Sequence, residues 1–130
     1  MSENNRDLTF LWIKKAENDI ISAKHILAHP QSPTDTVCFH AQQTVEKALK
    51  ALLTFHGTPF PKTHQLVSLL DIALPFIEEL EVHREKLAAM TQYAVEIRYP
   101  DDWFEPSREE AKTAVQDADK ILKIIKDRLS

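Results

Sequence analysis

In the stretch FHAQQTVEKALKALLTFHG, residues 39–57, the polar side chains His40, Gln42, Gln43, Glu46, Lys47 and Lys50 interrupt an otherwise apolar helical pattern. Their types suggest anion chemistry. Lysines attract phosphate, a carboxylate can hold a guanidinium fork, and glutamine amides need partners wherever they are buried. At about 100° per residue, Ala41, Val45, Ala48, Leu49 and Leu52 cluster on one face. His40, Gln43, Lys47 and Lys50 fall in a strip about 80° wide on nearly the opposite side. Gln42 and Glu46 project at the margin of the apolar face, one turn apart, where an amide should be buried or lie at a subunit contact. The lysines are therefore either a solvated helix back or a binding surface. Gln42 and Glu46 are either a structural polar network or part of a site.

Two other stretches carry reactive side chains. PKTHQL places His64 in the first helical turn after Thr63, a candidate N-cap. A helix dipole there disfavours imidazolium, so a neutral His64 would donate or accept one hydrogen bond, or simply fix a loop. IRYPDDWFEP places Arg98 at the end of a helical segment, where a guanidinium either completes the helix-end carbonyls or grips a phosphate or carboxylate. Tyr99, Trp103 and Phe104 next to it either pack a loop or stack on a base.

Other chemistry lacks its residues. The chain has one glycine, so it has no glycine-rich phosphate loop. His25 and His29 have the helical spacing of metal ligands, but no nearby carboxylate or cysteine completes a set, and no metal or other cofactor is expected. Cys38 borders the apolar face and reads as a buried small residue. No serine–histidine–acid arrangement can be inferred.

The elements that must position these residues are helices. The single glycine, Gly57, and all seven prolines fall between stretches of helical periodicity. A first helix is expected over about residues 8–28, with Ile13, Ala16, Ile20, Ala23 and Leu27 on its core stripe. A second spans about 35–56 and ends at Gly57, and a short third follows Thr63. The fourth segment starts near Pro75 or Phe76, breaks around Val82, and carries Leu80, Leu87, Met90, Ala94 and Ile97 toward Pro100. The last opens with Ser107 and Glu110 as a capping box and lines Ala111, Ala114, Ala118, Leu122, Ile125 and Leu129 on one face. Short connections make these antiparallel neighbours, so the expectation is an all-α up-and-down bundle of four main helices plus a short one, in a single domain.

Composition sets outer limits. At 130 residues and a net charge of −4, broad non-specific adhesion to nucleic acid is disfavoured, although a local basic pocket is not. No apolar run approaches the roughly 20 residues of a membrane span, and the opening MSENNRD lacks the order of a secretory signal. A lone cysteine forms no internal disulfide, which fits a reducing compartment, so a cytoplasmic location is expected.

Ala16 and Asp19 in AENDIISA, the segment FHAQQTVEKALKALL, THQLVSLL and RYPDDW, taken in this order, resemble the HEPN family (higher eukaryotes and prokaryotes nucleotide-binding domain) over about residues 8–129. The resemblance implies an antiparallel helical bundle, often a homodimer, and often the partner of a small nucleotidyltransferase in modules of toxin–antitoxin type. It also implies a nucleotide- or RNA-binding role. In ribonucleolytic members an arginine is followed four to six residues later by histidine. Here no histidine follows His83 at all, and neither Arg6 nor Arg84 has one at that spacing, so cleavage by that motif is not expected.

The leading reading is a binding and interaction module. A ribonuclease with a displaced active site and a purely structural helical dimer are the alternatives. For the leading reading, Arg98, Tyr99 and His64 are expected to meet the second helix at Glu46, Lys47 and Lys50 in one polar cleft. Glu46 would orient Arg98, the lysines would draw phosphate, and Gln42 and Gln43 would serve the dimer or a structural network.

Overall fold

The computed structural model describes residues 3–94, 100–102 and 105–130. Among them every regular element is helical: α1 Glu3–Ala28, α2 Thr34–Phe55, α3 Leu66–Ala73, α4 Arg84–Met90 and α5 Arg108–Leu129. None of these helices is long and apolar enough to cross a membrane. Short 3-10 turns at Leu74–Phe76, Glu78–His83, Thr91–Ala94 and Pro100–Asp102 link or extend the smaller helices.

α2 is the central element, packed most extensively on α1 and then α5, with α3 also against it. Its burial runs nearly all the way round. Fifteen of its residues are buried, including Gln42, Gln43, Thr44, Glu46 and Lys50. The flanking helices are more one-sided. α1 buries Ile13, Ala16, Ile20 and Ala23, and α5 buries Ala111, Ala114, Ala118, Leu122 and Ile125, as their three- and four-residue spacing predicts. Burying large side chains such as Leu49, Leu52 and Leu53 removes them wholly from water, each a gain of about 1.5–3 kcal/mol.

The termini of α2 follow local chemistry. Gly57 takes φ +65, the left-handed conformation that costs glycine no Cβ clash. Its N–H bonds the Thr54 carbonyl at 3.0 Å and the Thr58 N–H reaches the Leu53 carbonyl at 2.9 Å, the paired bonds of a Schellman stop. At the other end, the Thr34 hydroxyl donates to the Pro106 carbonyl at 2.5 Å, tying the start of α2 to the approach of α5. The Arg108 guanidinium then donates to the carbonyls of Leu27, His29 and Pro30, satisfying acceptors at the C-terminal end of α1.

Three local expectations need correction. α1 starts at Glu3, about a turn and a half before the expected start near residue 8. Thr63 does not cap α3: its hydroxyl accepts the Gln65 N–H at 3.0 Å in a local turn, and the helix opens at Leu66. His64 therefore precedes the helix instead of sitting in its first turn. The fourth segment is a chain of short turns around a seven-residue α4, because Pro75 and the non-helical backbone of Ile77 interrupt it. Leu80, Leu87 and Met90 still face the core, while Ile97 lies outside the described residues.

The capping box of α5 is half formed. Ser107 Oγ accepts the Glu110 N–H at 3.0 Å, but the Glu110 carboxylate takes the Tyr93 hydroxyl in a short hydrogen bond. Ser107→Ala should cost about 1 kcal/mol in denaturant unfolding, and Ser107→Gly only a few tenths. Two variants as stable as the parent would show that the cap bond contributes nothing.

Candidate functional site: a buried carboxylate and two anchored imidazoles

Glu46 is the organising group. It is only 3% exposed on α2, where an unpaired carboxylate would be strongly disfavoured. Each of its oxygens is met. Oε2 accepts Lys50 Nζ at 3.0 Å, one turn along the same helix. Oε1 faces His64 Nδ1 at 2.8 Å and Gln42 Nε2 at 3.2 Å, with Gln43 Nε2 at 3.4 Å. Because a carboxylate can only accept, His64 donates through Nδ1 and turns Nε2 outward. The Gln42 amide also donates to the His64 carbonyl at 3.2 Å, and Gln43 Nε2 donates to Gln42 Oε1 at 2.7 Å. Among the described residues no buried side-chain nitrogen or oxygen lacks a partner.

Burial by itself would raise the Glu46 pKa. The hydrogen bonds from His64, Lys50 and Gln42 and the Lys50 charge outweigh it, holding the carboxyl below its ordinary value of 4.5. Lys50 is itself 8% exposed, with Nζ 5.6 Å from the Trp12 ring centroid, and Trp12 meets Phe60 edge-on at 6.5 Å. The result is a sealed ion pair with an aromatic lid, from which the His64 side chain, 67% exposed, reaches water.

A second cluster lies further toward the start of α2. Asp19 of α1, 8% exposed, holds His40 Nδ1 at 2.8 Å through Oδ1 and Lys47 Nζ at 2.6 Å through Oδ2. Here too the carboxylate fixes Nδ1 as the donor and leaves Nε2 on the outer side of the ring.

The structure thus brings Glu46, Lys50 and His64 together with both glutamines, and it divides the two lysines. Lys47 belongs to the Asp19 cluster. Lys50 is buried and paired, so it is not a solvated helix back. Arg98 and Tyr99, with the expected Glu46–Arg98 contact, lie outside the described residues. The Asp19–His40–Lys47 cluster is not visible as a unit in the sequence, since its members are 21 and 28 residues apart. One signal does exist: Asp19 falls on the α1 core stripe between Ala16 and Ala23, and a carboxylate on an apolar stripe requires partners.

Other groups offer less chemistry. Burial, then the Glu110 charge, push the Cys38 thiol up to about 12, so it stays protonated and unreactive at neutral pH. Among the described residues no group of three potential ligands could hold a metal ion.

Breaking the Glu46 ion pair tests this description. Glu46→Ala should cost about 3–5 kcal/mol, because Lys50 is left buried without its counter-charge, and pairing it with Lys50→Met should recover most of that loss. The lowered pKa adds a pH signature. A carboxylate whose folded pKa is depressed stabilises fully above its unfolded pKa, and that stability disappears as pH falls through the folded value. Acid unfolding of Glu46→Gln should accordingly depend less on pH below about 4.5 than that of the parent. A single substitution that leaves unfolding unchanged would mean that the pair is not sealed from water.

The HEPN domain family model matches residues 10–128. The chain is 32% identical to the protein named "Putative toxin MJ1304" from Methanocaldococcus jannaschii, in an alignment covering 92% of this chain and 86% of that protein. It superposes on the crystal structure of TT1696 from Thermus thermophilus with a TM-score of 0.80 and 27% identity, covering 98% of this chain and all of the other. The crystal structure of ST0689, described as an archaeal HEPN homologue, gives 0.72 and 26%, covering 94% and 98%. Sequence, helical order and the match over nearly the whole length agree: the chain belongs to the HEPN domain family.

Proposed function

We propose that this HEPN chain is a nucleotide- or RNA-binding interaction module that works with a small nucleotidyltransferase partner in a toxin–antitoxin-type pair. The observation that carries the binding role is the Glu46–His64 contact, in which a sealed carboxylate presents an exposed imidazole at the surface. A site that anchors its donor on a buried network loses little side-chain freedom when a ligand arrives. The toxin name of the Methanocaldococcus relative supports the toxin–antitoxin setting. Phosphate is the ligand group proposed for His64, with Arg98 and Tyr99 contributing from the RYPDDW segment.

Calorimetric titration with nucleotides or short RNA checks the binding role. His64→Gln should weaken phosphate-bearing ligands by about tenfold or more, the equivalent of one hydrogen bond to a charged group. Its thermal stability should fall much less than that of Glu46→Ala, since His64 is mostly exposed. Equal affinities for parent and variant would remove His64 from the site. For the partner, co-expression with a neighbouring minimal nucleotidyltransferase should yield one complex on gel filtration, and separate elution would count against the pairing. The same reading takes the chain as a homodimer, and light scattering across dilution should give twice the mass of one chain. A monomer persisting at high concentration would exclude that.

The toxin-named relative and the carboxylate-held imidazoles also favour a second reading, a ribonuclease that uses His64 as a proton acceptor. The missing histidine after Arg98 weighs against it. Purified protein is expected to leave transcripts intact. Metal-independent cleavage that His64→Gln abolishes would establish the nuclease instead.

A further inference from the structure

The apolar side chains that this chain leaves in water collect on one helix. Among the described residues, Leu8, Phe10, Leu11 and Ile21 of α1 are large hydrophobics open to solvent, and only Val82 joins them from elsewhere. Phe10 and Ile21, 61% and 50% exposed, project within about 20° of each other at 100° per residue. Lys14 and Glu17 fall in the same direction between them. These four form a stripe about 16 Å long, about 110° round the helix from the buried stripe of Ile13, Ala16, Ile20 and Ala23. Their spacings of four, three and four are those of a coiled-coil seam.

The order of residues along this stripe is its own complement when reversed. Two copies laid antiparallel about a two-fold axis between residues 15 and 16 set Phe10 of each against Ile21 of the other. The same register sets Lys14 of each against Glu17 of the other, so apolar contacts close both ends around two opposite-charge pairs. A parallel arrangement would instead oppose lysine to lysine and glutamate to glutamate, which like-charge repulsion disfavours. Both charges are available. Lys14 makes no ion pair among the described residues. Glu17 accepts Lys126 Nζ at 2.8 Å through Oε2 alone and keeps Oε1 open. We propose that this face of α1 is where a second copy of the chain docks, antiparallel, with Phe10 on Ile21 and Lys14 on Glu17. The proposal rests on the homodimer reading above and assigns that dimer its surface and its orientation.

The test is sedimentation equilibrium on the full chain over a dilution series, which gives the dissociation constant of the dimer. Lys14→Glu and Glu17→Lys each oppose like charges twice across the axis, and each should weaken self-association about tenfold or more. The combined Lys14→Glu/Glu17→Lys chain exchanges the pair and should recover most of that loss. Lys15→Glu changes the net charge as Lys14→Glu does, but about 100° round the helix, and should dimerise like the parent. Zero-length carbodiimide cross-linking of the unsubstituted chain, mixed from isotope-labelled and unlabelled copies, should join Lys14 of one copy to Glu17 of the other.

A dimeric parent whose Lys14→Glu variant associates no differently from Lys15→Glu overturns this surface, and so does an exchanged pair that recovers nothing. Both results leave the homodimer reading standing. A parent that stays monomeric at every concentration removes that reading and this one together. If Lys14→Glu leaves the dimer intact and blocks only a complex with the nucleotidyltransferase, the face belongs to that partner and the proposal falls. The cross-link is read on the unsubstituted chain, so it decides the matter even if a variant does not fold: inter-copy links that never include Lys14 with Glu17 overturn the proposal.

Discussion

A carboxylate removed from water at the middle of α2 constrains everything around it. Glu46 cannot remain charged there without donors, and the fold supplies them from three directions: Lys50 from the next helical turn, Gln42 and Gln43 from the preceding one, and His64 from the connection to α3. The last is the consequential one. By holding both the His64 ring and, through Gln42, its carbonyl, the network pins the loop that enters α3 and keeps His64 out of the helix. Stability and the candidate site are thus the same set of bonds, and the exposed imidazole is oriented by groups that are themselves immobilised.

The Asp19 cluster repeats this design between helices instead of within one. Its carboxylate comes from α1 and its two donors from α2, so it contributes to the packing of the two most closely associated helices while leaving an imidazole edge at the surface. At the far end of the bundle, Thr34 on the Pro106 carbonyl and Arg108 on the last carbonyls of α1 add hydrogen bonds at the junction of three elements. The interior between these polar fixtures is ordinary: small alanines and large leucines and isoleucines alternate along facing helices and fill the space between them.

The helices of this protein were legible before any contact between them was known. Period-3.6 apolar stripes, prolines confined to connections and a lone glycine at the end of α2 are local signals, and local sterics act on them without reference to the rest of the chain. So the helical bundle and the depth of residues such as Ile20, Leu49 and Ala118 could be read directly, and the four short HEPN-like stretches indicated the family that the comparisons establish. Broken segments were less legible. From Leu74 to Ala94 Pro75 and the non-helical backbone at Ile77 interrupt the run and leave tertiary contacts to choose between α-helical and 3-10 turns.

Which polar residues belong together was settled by packing alone. Helix periodicity placed Lys47 and Lys50 in one strip, but packing divides them: Asp19 captures one lysine, and the other pairs with Glu46 with its Nζ over the Trp12 ring. Packing settled equally that His64 answers to Glu46 and His40 to Asp19, pairings 18 and 21 residues apart. The physical reason is range. Helical rotation is fixed by a residue's nearest neighbours, whereas the partner of a buried charge is whichever opposite group packing brings within about 3 Å, and that distance is a property of the assembled bundle.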